Sequence, residues 1–349
     1  MLLISFNIFY CTVFPNALTR IGSSAFTNIV NITSIELNDN LETIGNYAFY
    51  GCTGITSVNI PDSVKTIGDS AFRELGELSS VVLGNEIESI GAYAFYHCPK
   101  IPEIHIPDST KTIGANAFDN CSGITTLTIG NSVETIGGYA FWNTKETELI
   151  LPTSLRTIGY EAFSQNTGIK SVTIAGNITY IGQHAFRGCT NLAALTISAT
   201  NGEIDSRAFC VLPLKDVTIN GIKKIYANAF DSCTSLTALT IGEGCEYIGN
   251  SAFYGCRFTE LSLPSTLQRI YGNSFNNCNK LTAINIPDSC FYLSGGFGNC
   301  TSLKDISLGK GVKFFEYYAF SNVKIEKDRF ISKSGMDLEA FNYGGATIM

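Results

Sequence analysis

Residues 52–72 read CTGITSVNIPDSVKTIGDSAF, and the pair that closes this stretch, Ala71-Phe72, marks an interval that repeats along the chain. The recurring phenylalanines are Phe26, Phe49, Phe72, Phe95, Phe118, Phe141, Phe163, Phe186, Phe209, Phe230, Phe253, Phe275, Phe297 and Phe320, separated by 21 to 23 residues. A period of that length defines stacked coils, each too small to bury its own apolar edge, so that the core forms only between neighbours. Within the quoted unit Val58 and Ile60 alternate with Ser57 and Asn59, the period of two expected of a short half-buried strand. Pro61-Asp62-Ser63 turns the chain, because proline fixes φ and Asp and Ser side chains bond the local backbone. Val64 and Ile67 point inward again, and Gly68 marks a further corner where positive φ or close backbone approach excludes a Cβ. The segment from Ser70 to the third residue after Phe72 predicts one helical turn capped by Ser70. The Phe column, represented by Phe72, Phe95, Phe118, Phe141, Phe163 and Phe186, is the expected structural spine.

The composition fits this reading. The 349 residues are 45% hydrophobic and include 33 Gly, 23 Phe and 16 Tyr but one Trp and three Met, a skew that fixed structural columns produce. A net charge of −7 with 15% charged residues and no Lys/Arg run argues against nucleic acid, whose binding requires clustered cations. The longest apolar stretch, Leu2 to Phe14, is interrupted by Ser5, Asn7 and Thr12 and is too short to span a membrane. As a signal segment it lacks a basic beginning and a small-residue cleavage site. Instead Phe9, Thr12 and Phe14 align with Ile55, Val58 and Ile60, so residues 1–14 read as an incomplete first coil or cap, 15–325 as the repeat array, and 326–349 as a C-terminal cap or tail with both signs of charge.

The pattern Cys-x-x-Leu-x-x-Val-x-Ile-Pro-x-Ser-Val-x-x-Ile-Gly-x-x-Ala-Phe resembles the BspA-type leucine-rich repeat, in about fourteen units over residues 15 to 325. The resemblance implies a right-handed leucine-rich solenoid with a short parallel strand, a second extended segment and one helical turn per coil. It further implies a protein at the cell surface or secreted, engaged in adhesion to host or matrix proteins. The Ile-Gly pair holds in nine units and gives way to Ile204-Asp205, Ile225-Tyr226, Ile270-Tyr271, Leu293-Ser294 and Phe315-Glu316, which predicts local bends or bulges in the second half.

No constellation for chemistry emerges. Cys52, Cys98, Cys121, Cys189, Cys233, Cys256, Cys278 and Cys300 each stand three residues after a spine Phe. Zinc needs converging ligands, commonly as Cys-x-x-Cys, whereas a column delivers one thiol per coil, so a buried, reduced thiol ladder is expected. The cluster Cys233, Cys245 and Cys256 is thus two columns seen together, with Cys245 in the place of Val64. His97 and His184 fall in the expected helical turns and His105 on a strand, without a partner set for catalysis. Leu308-Gly309-Lys310-Gly311 lacks the upstream Gly and following Ser/Thr of a phosphate loop. Neither enzyme activity, cofactor nor metal is expected.

What remains is surface. The outward strand residues read Glu36, Asn59, Val82, His105, Thr128, Ile150, Thr173, Thr196, Thr218, Thr240, Ser262, Asn285 and Ser307, a nearly uncharged face rich in hydroxyls. β-Branched Thr is at home in strands for structural reasons alone. As a binding face, Thr128, Thr173, Thr196, Thr218, Thr240, Ser262 and Asn285 would dock an extended protein or a glycan through many weak hydrogen bonds. Turn aromatics form a second candidate surface: Tyr47, Tyr50, Tyr93, Tyr96, Tyr139, Trp142, Tyr254, Tyr317 and Tyr318. The sequence therefore predicts a monomeric, non-enzymatic binding protein, with an intracellular scaffold as the alternative to a surface adhesin.

Overall fold

A computed structural model describes residues 11–313, 315–316, 319–335 and 346–348. The chain divides into two compact units, Met1–Ile169 and Lys170–Met349. Each is a parallel β-solenoid, with about fourteen turns in all. Among the described residues, helix is confined to the 3-10 turn Lys327–Arg329.

In the first unit every regular coil contributes two strands. The longer ones include Ser34–Glu36, Ser57–Asn59, Ser80–Val82, Glu103–His105 and Thr126–Thr128, and the shorter ones Thr43–Ile44, Thr66–Ile67, Ser89–Ile90, Thr112–Ile113 and Thr135–Ile136. Pairing is parallel and shifted by one repeat, as in Val58↔Val81 and Ile44↔Ile67. The inward residue of each strand is buried and its neighbours are not, so a one-residue slip would expose the whole column. Cys11–Val13 pairs with Ser34–Glu36, placing Thr12 opposite Ile35, while Phe9 lies outside the described residues.

Phe49, Phe72, Phe95, Phe118, Phe141 and Phe163 are fully buried. Consecutive rings stack face to face: Phe95 lies 5.2 Å from Phe118 at 4°, and Phe118 lies 5.4 Å from Phe141 at 3°. In the second unit Phe186, Phe209, Phe230, Phe253, Phe275, Phe297 and Phe320 repeat the arrangement, with Phe253 and Phe275 at 5.4 Å and 2°.

The segment around each spine Phe is not a helical turn. Tyr47 and Gly51, two residues before and after Phe49, have φ of 57° and 67°. Left-handed residues four apart cannot belong to a right-handed helix. The amides instead alternate: Tyr47, Phe49 and Gly51 donate to Asp69, Ala71 and Arg73 of the next coil at 2.8–3.0 Å. Ala48, Tyr50 and Cys52 close local turns onto Gly45, Tyr47 and Phe49. Ser70 occupies the left-handed position, with φ 54°, and is therefore not an N-cap.

The corner side chains also work between coils rather than locally. Asp62 accepts from the backbone N–H of Asn85 at 2.8 Å, Asp108 from Asn131 at 2.8 Å, and Asp288 from Lys310 at 3.0 Å. Ser63, Ser109, Ser154 and Ser289 reach the other way, to the carbonyls of Leu41, Ile87, Val133 and Leu267 at 2.7–2.8 Å. At Gly68 it is close approach that excludes a side chain: a Cβ there would lie 2.6 Å from the Asn46 nitrogen and 2.7 Å from the Gly45 carbonyl carbon.

One exposed column of the first unit is ordered by charge. Glu42, Lys65, Glu88, Lys111, Glu134 and Arg156 occupy equivalent places in six successive coils and alternate strictly in sign. Each backbone amide from Lys65 onward donates to the carbonyl of the residue before it in the column, at 2.8–2.9 Å, so the side chains are cross-strand neighbours. Arg156 reaches Glu134 at 3.4 Å. Opposite charges side by side favour the native stacking, and looping out one coil would bring like charges together.

The second unit is less regular. Ala194–Ile204 and Asp216–Ile225 run as long continuous strands through the corner, and their register shifts between Ser198 and Gly202. The shift falls in the half where bends or bulges are expected, but upstream of the Ile204-Asp205 pair, and the replaced pairs Ile270↔Leu293 and Leu293↔Phe315 keep register. Near the C-terminus Phe330–Ser332 adds a strand beside Asp305–Leu308, and Lys324–Ile325 pairs with Thr347–Ile348.

Phe118→Ala is expected to cost about 3–5 kcal/mol in urea unfolding, since the cavity falls between two fixed rings. A loss below about 1 kcal/mol would place the ring outside the core. Lys111→Glu, which sets three carboxylates in a row, is expected to cost about 0.2–1 kcal/mol at low salt. Most of that loss should vanish near 1 M salt, where screening acts within roughly 3 Å; a salt-independent loss would trace the effect to packing instead.

Candidate interaction surface

The thiol ladder packs into the cores. Cys52, Cys98 and Cys121 aim their sulfurs at the carbonyls of Phe26, Phe72 and Phe95 at 2.8, 3.3 and 3.0 Å. Cys233, Cys256, Cys278 and Cys300 do the same to Phe209, Phe230, Phe253 and Phe275 at 3.1–3.5 Å. A cysteine here is a small apolar filler whose weak S–H meets a spine carbonyl of the preceding coil. Burial pushes the Cys52 thiol up to about 11 and Cys233 up to about 12, so these groups are poor nucleophiles and metal ligands. Among the described residues no group of His, Cys, Asp and Glu is arranged to hold a metal ion.

The three histidines stay apart in sequence and setting. His97 and His184 hold left-handed turn positions, while His105 lies on a strand with Nδ1 2.9 Å from the Thr128 hydroxyl and Nε2 3.7 Å from Glu103. The Gly309-Lys310-Gly311 corner gives its Lys310 amide to Asp288, and a Cβ on Gly309 would collide with Pro287 at 2.4 Å. It has no cradle for a phosphate.

One buried polar group escaped the sequence reading. In the first unit Thr144 and Asn166 stand in the cysteine column, and Glu146 fills the place that Ile124 holds one coil earlier. Asn166 donates to Glu146 at 2.9 Å and to the Phe141 carbonyl at 3.1 Å, and accepts from Thr144 at 2.7 Å. The second carboxyl oxygen of Glu146 and the Ser164 hydroxyl have no hydrogen-bond partner among the described residues. Desolvation drives Glu146 up to about 7, against smaller opposing contributions from Thr144 and Lys145. The 22-residue gap between Phe141 and Phe163 was the available sign that this coil is one residue short. Because no solvent reaches the carboxyl, it serves the core and not a substrate.

The hydroxyl column forms as parallel rows. In the second unit Thr173, Thr196, Thr218 and Thr240 lie side by side on four paired strands, and Ser262, Asn285, Ser307 and Ile331 continue in the same manner. In the first unit Thr128 neighbours His105, and Val82 and Ile150 stand outward, 55% and 70% exposed. The strand face is thus mixed rather than purely hydroxylic.

Two aromatic groupings lie elsewhere on the coils. In the first unit Arg73 sits against Tyr50, Tyr93 and Tyr96, 4.9–5.5 Å from the ring centroids, so these tyrosines surround the chain's own guanidinium. In the second unit Tyr226, Tyr247, Tyr271 and Tyr292 form a tilted stack with centroids 4.7–5.7 Å apart. Two members of that stack, Tyr226 and Tyr271, are the residues that replace Gly after Ile. Tyr317 and Tyr318 lie outside the described residues.

A cleft of about 640 Å³ opens on the strand face of the second unit. Leu239, Leu261, Ile284 and Ile306 form its floor, and Ser262, Asn285 and Ser307 line one side. Glu260, Ala283 and Asp305 line the other, with Asp328, Arg329 and Ile331 at the end. Of the hydroxyl-face residues singled out in the sequence, it gathers Ser262 and Asn285; Thr128, Thr173, Thr196, Thr218 and Thr240 lie outside it.

The model of the BspA type leucine rich repeat region matches residues 5–125, 88–215 and 223–344. The chain belongs to that family. A leucine-rich repeat protein from Bacteroides ovatus is similar over 97% of this chain and 91% of its own, at 25% identity and a TM-score of 0.64. A leucine rich cell surface protein from Faecalibacterium prausnitzii is 23% identical over 97% and 90% of the two chains, with a TM-score of 0.45. No curated protein sequence matches the chain. The matched family is one of repeats, and no enzymatic family is indicated. Among the described residues no helix is long and apolar enough to cross a membrane.

Glu146 yields a pH prediction. Its folded pKa of about 7 lies above the ordinary 4.5, so the folded state holds an extra proton between those values. Stability then falls as pH rises through that window, by up to about 3 kcal/mol. Urea unfolding at about pH 5 and pH 8 should show the loss, and Glu146→Gln should flatten it. An unchanged pH dependence in the variant would assign the effect to another group.

Proposed function

We propose that this protein is a non-enzymatic binding protein of the cell surface or the secreted fraction, whose strand face adheres to host or matrix proteins or glycans. The observation that carries the reading is the strand face itself, where Thr173, Thr196, Thr218 and Thr240 stand in register beside a cleft on the same face. Hydroxyls in parallel rows offer repeated donors and acceptors to an extended partner, and flanking apolar residues supply area that water leaves on binding. Membership of the BspA-type repeat family supports a surface location. Residues 15–325 form the binding array in this reading, with residues 1–14 and 326–349 as its caps.

The free, buried cysteines favour a second reading, an intracellular scaffold, because a chain that matures in an oxidising compartment commonly pairs its thiols. Surface labelling of intact producing cells separates the two: labelled protein supports the adhesin, and labelling only after lysis supports the scaffold. Biolayer measurements against a panel of matrix and cell-surface proteins test the binding face. Saturable binding to a panel member is expected, together with its loss in a Thr196→Tyr/Thr218→Tyr variant that melts like the parent. Absence of binding across the panel would overturn adhesion.

A further inference from the structure

The cleft of the second unit differs in charge from the hydroxyl rows beside it. Glu260 and Asp305 stand on either side of Ala283, on alternate coils and therefore about 10 Å apart. The small Ala283 side chain leaves a depression between the two carboxylates, above the floor of Leu261 and Ile284. At the end of the cleft Ile331 is 57% exposed. Arg329 is already engaged, 3.5 Å from Asp305 and 3.4 Å from Glu326. No ion pair satisfies Glu260 or Asp328 among the described residues, so the lining carries three carboxylates against one guanidinium.

We propose that this cleft docks an extended segment of a partner protein in which lysine or arginine flanks a small aliphatic residue. The aliphatic side chain fills the depression over Ala283, and the basic groups reach Glu260 and Asp328. The inference rests on the binding reading of the strand face and adds the chemistry of the partner. Charge complementarity selects this occupant, because an acidic segment meets uncompensated repulsion. A purely apolar segment would leave both free carboxylates partly desolvated without a partner.

The test uses the full chain and fluorescein-labelled peptides of alternating lysine and valine, lysine and serine, or glutamate and valine, read by fluorescence anisotropy. Binding is expected to fall in the order lysine–valine, lysine–serine, glutamate–valine, and to weaken as salt is raised. Glu260→Gln and Asp328→Asn should each weaken the lysine–valine peptide about twofold to fivefold at low salt. Ala283→Leu should weaken it while narrowing the gap between the valine and serine peptides. Glu88→Gln/Glu134→Gln, which removes two carboxylates from the first unit, should leave it unchanged. Equal losses in that control pair would show attraction by overall charge and overturn the site, as would equal binding of the glutamate peptide or no saturable binding by the parent chain. If Thr196→Tyr/Thr218→Tyr abolishes binding of a panel protein that Glu260→Gln/Asp328→Asn leaves intact, the strand-face reading survives and the cleft assignment falls.

Discussion

The stacking of one phenylalanine ring on the next is the contact on which the other features of each coil depend. A coil of 21 to 23 residues has almost no interior of its own, and its buried residues touch mainly the equivalent residues of its neighbours. The rings, 5.2–5.4 Å apart along Phe95, Phe118 and Phe141, set an axial spacing that the backbone ladder must match. Once that spacing holds, Asp62 and Ser63 can reach forward and back to adjacent coils, and the Cys98 and Cys121 sulfurs can meet the carbonyls of Phe72 and Phe95. Each of these bonds is weak alone, and each repeats.

The same dependence explains how much of the fold was legible. Inward residues such as Val58, Val64, Ile67 and Phe72 are chosen by burial, a property that survives translation along the axis, so the period and the spine could be read directly. Bonds between coils have no local sign. Ser70 before Ala71-Phe72 has the look of a helix cap, yet the chain there adopts φ of 54° and spends alternate amides on the next coil. Asp62 has the look of a local turn residue, yet its carboxylate serves Asn85 one repeat away.

The candidate site was legible only in part. The hydroxyl column could be drawn because strand alternation assigns its members to one face, and two of them, Ser262 and Asn285, are among the residues that line the cleft. Its carboxylates could not be placed, because Glu260 and Asp305 come from the other outward row and Asp328 from the 3-10 turn beyond Phe320, where the period is lost. Glu146 shows the opposite difficulty: a charged residue in a coil of polar composition reads as surface, and only a one-residue shortening hints that it turns inward. Alternating charge in the column from Glu42 to Arg156 becomes meaningful once the coils are stacked, since its members are far apart in sequence and adjacent in space.

The direction of the amides around a coil has an electrical consequence. In the first unit Tyr47, Phe49, Gly51 and Ile60 donate toward the following coil, whereas Gly45, Thr56, Lys65 and Gly68 donate toward the preceding one. An α-helix aligns its peptide dipoles and so gains a positive and a negative end. Here the two sets oppose one another, and successive coils add little net dipole along the axis. Along the faces of such a stack, recognition of a charged partner is left to the side chains.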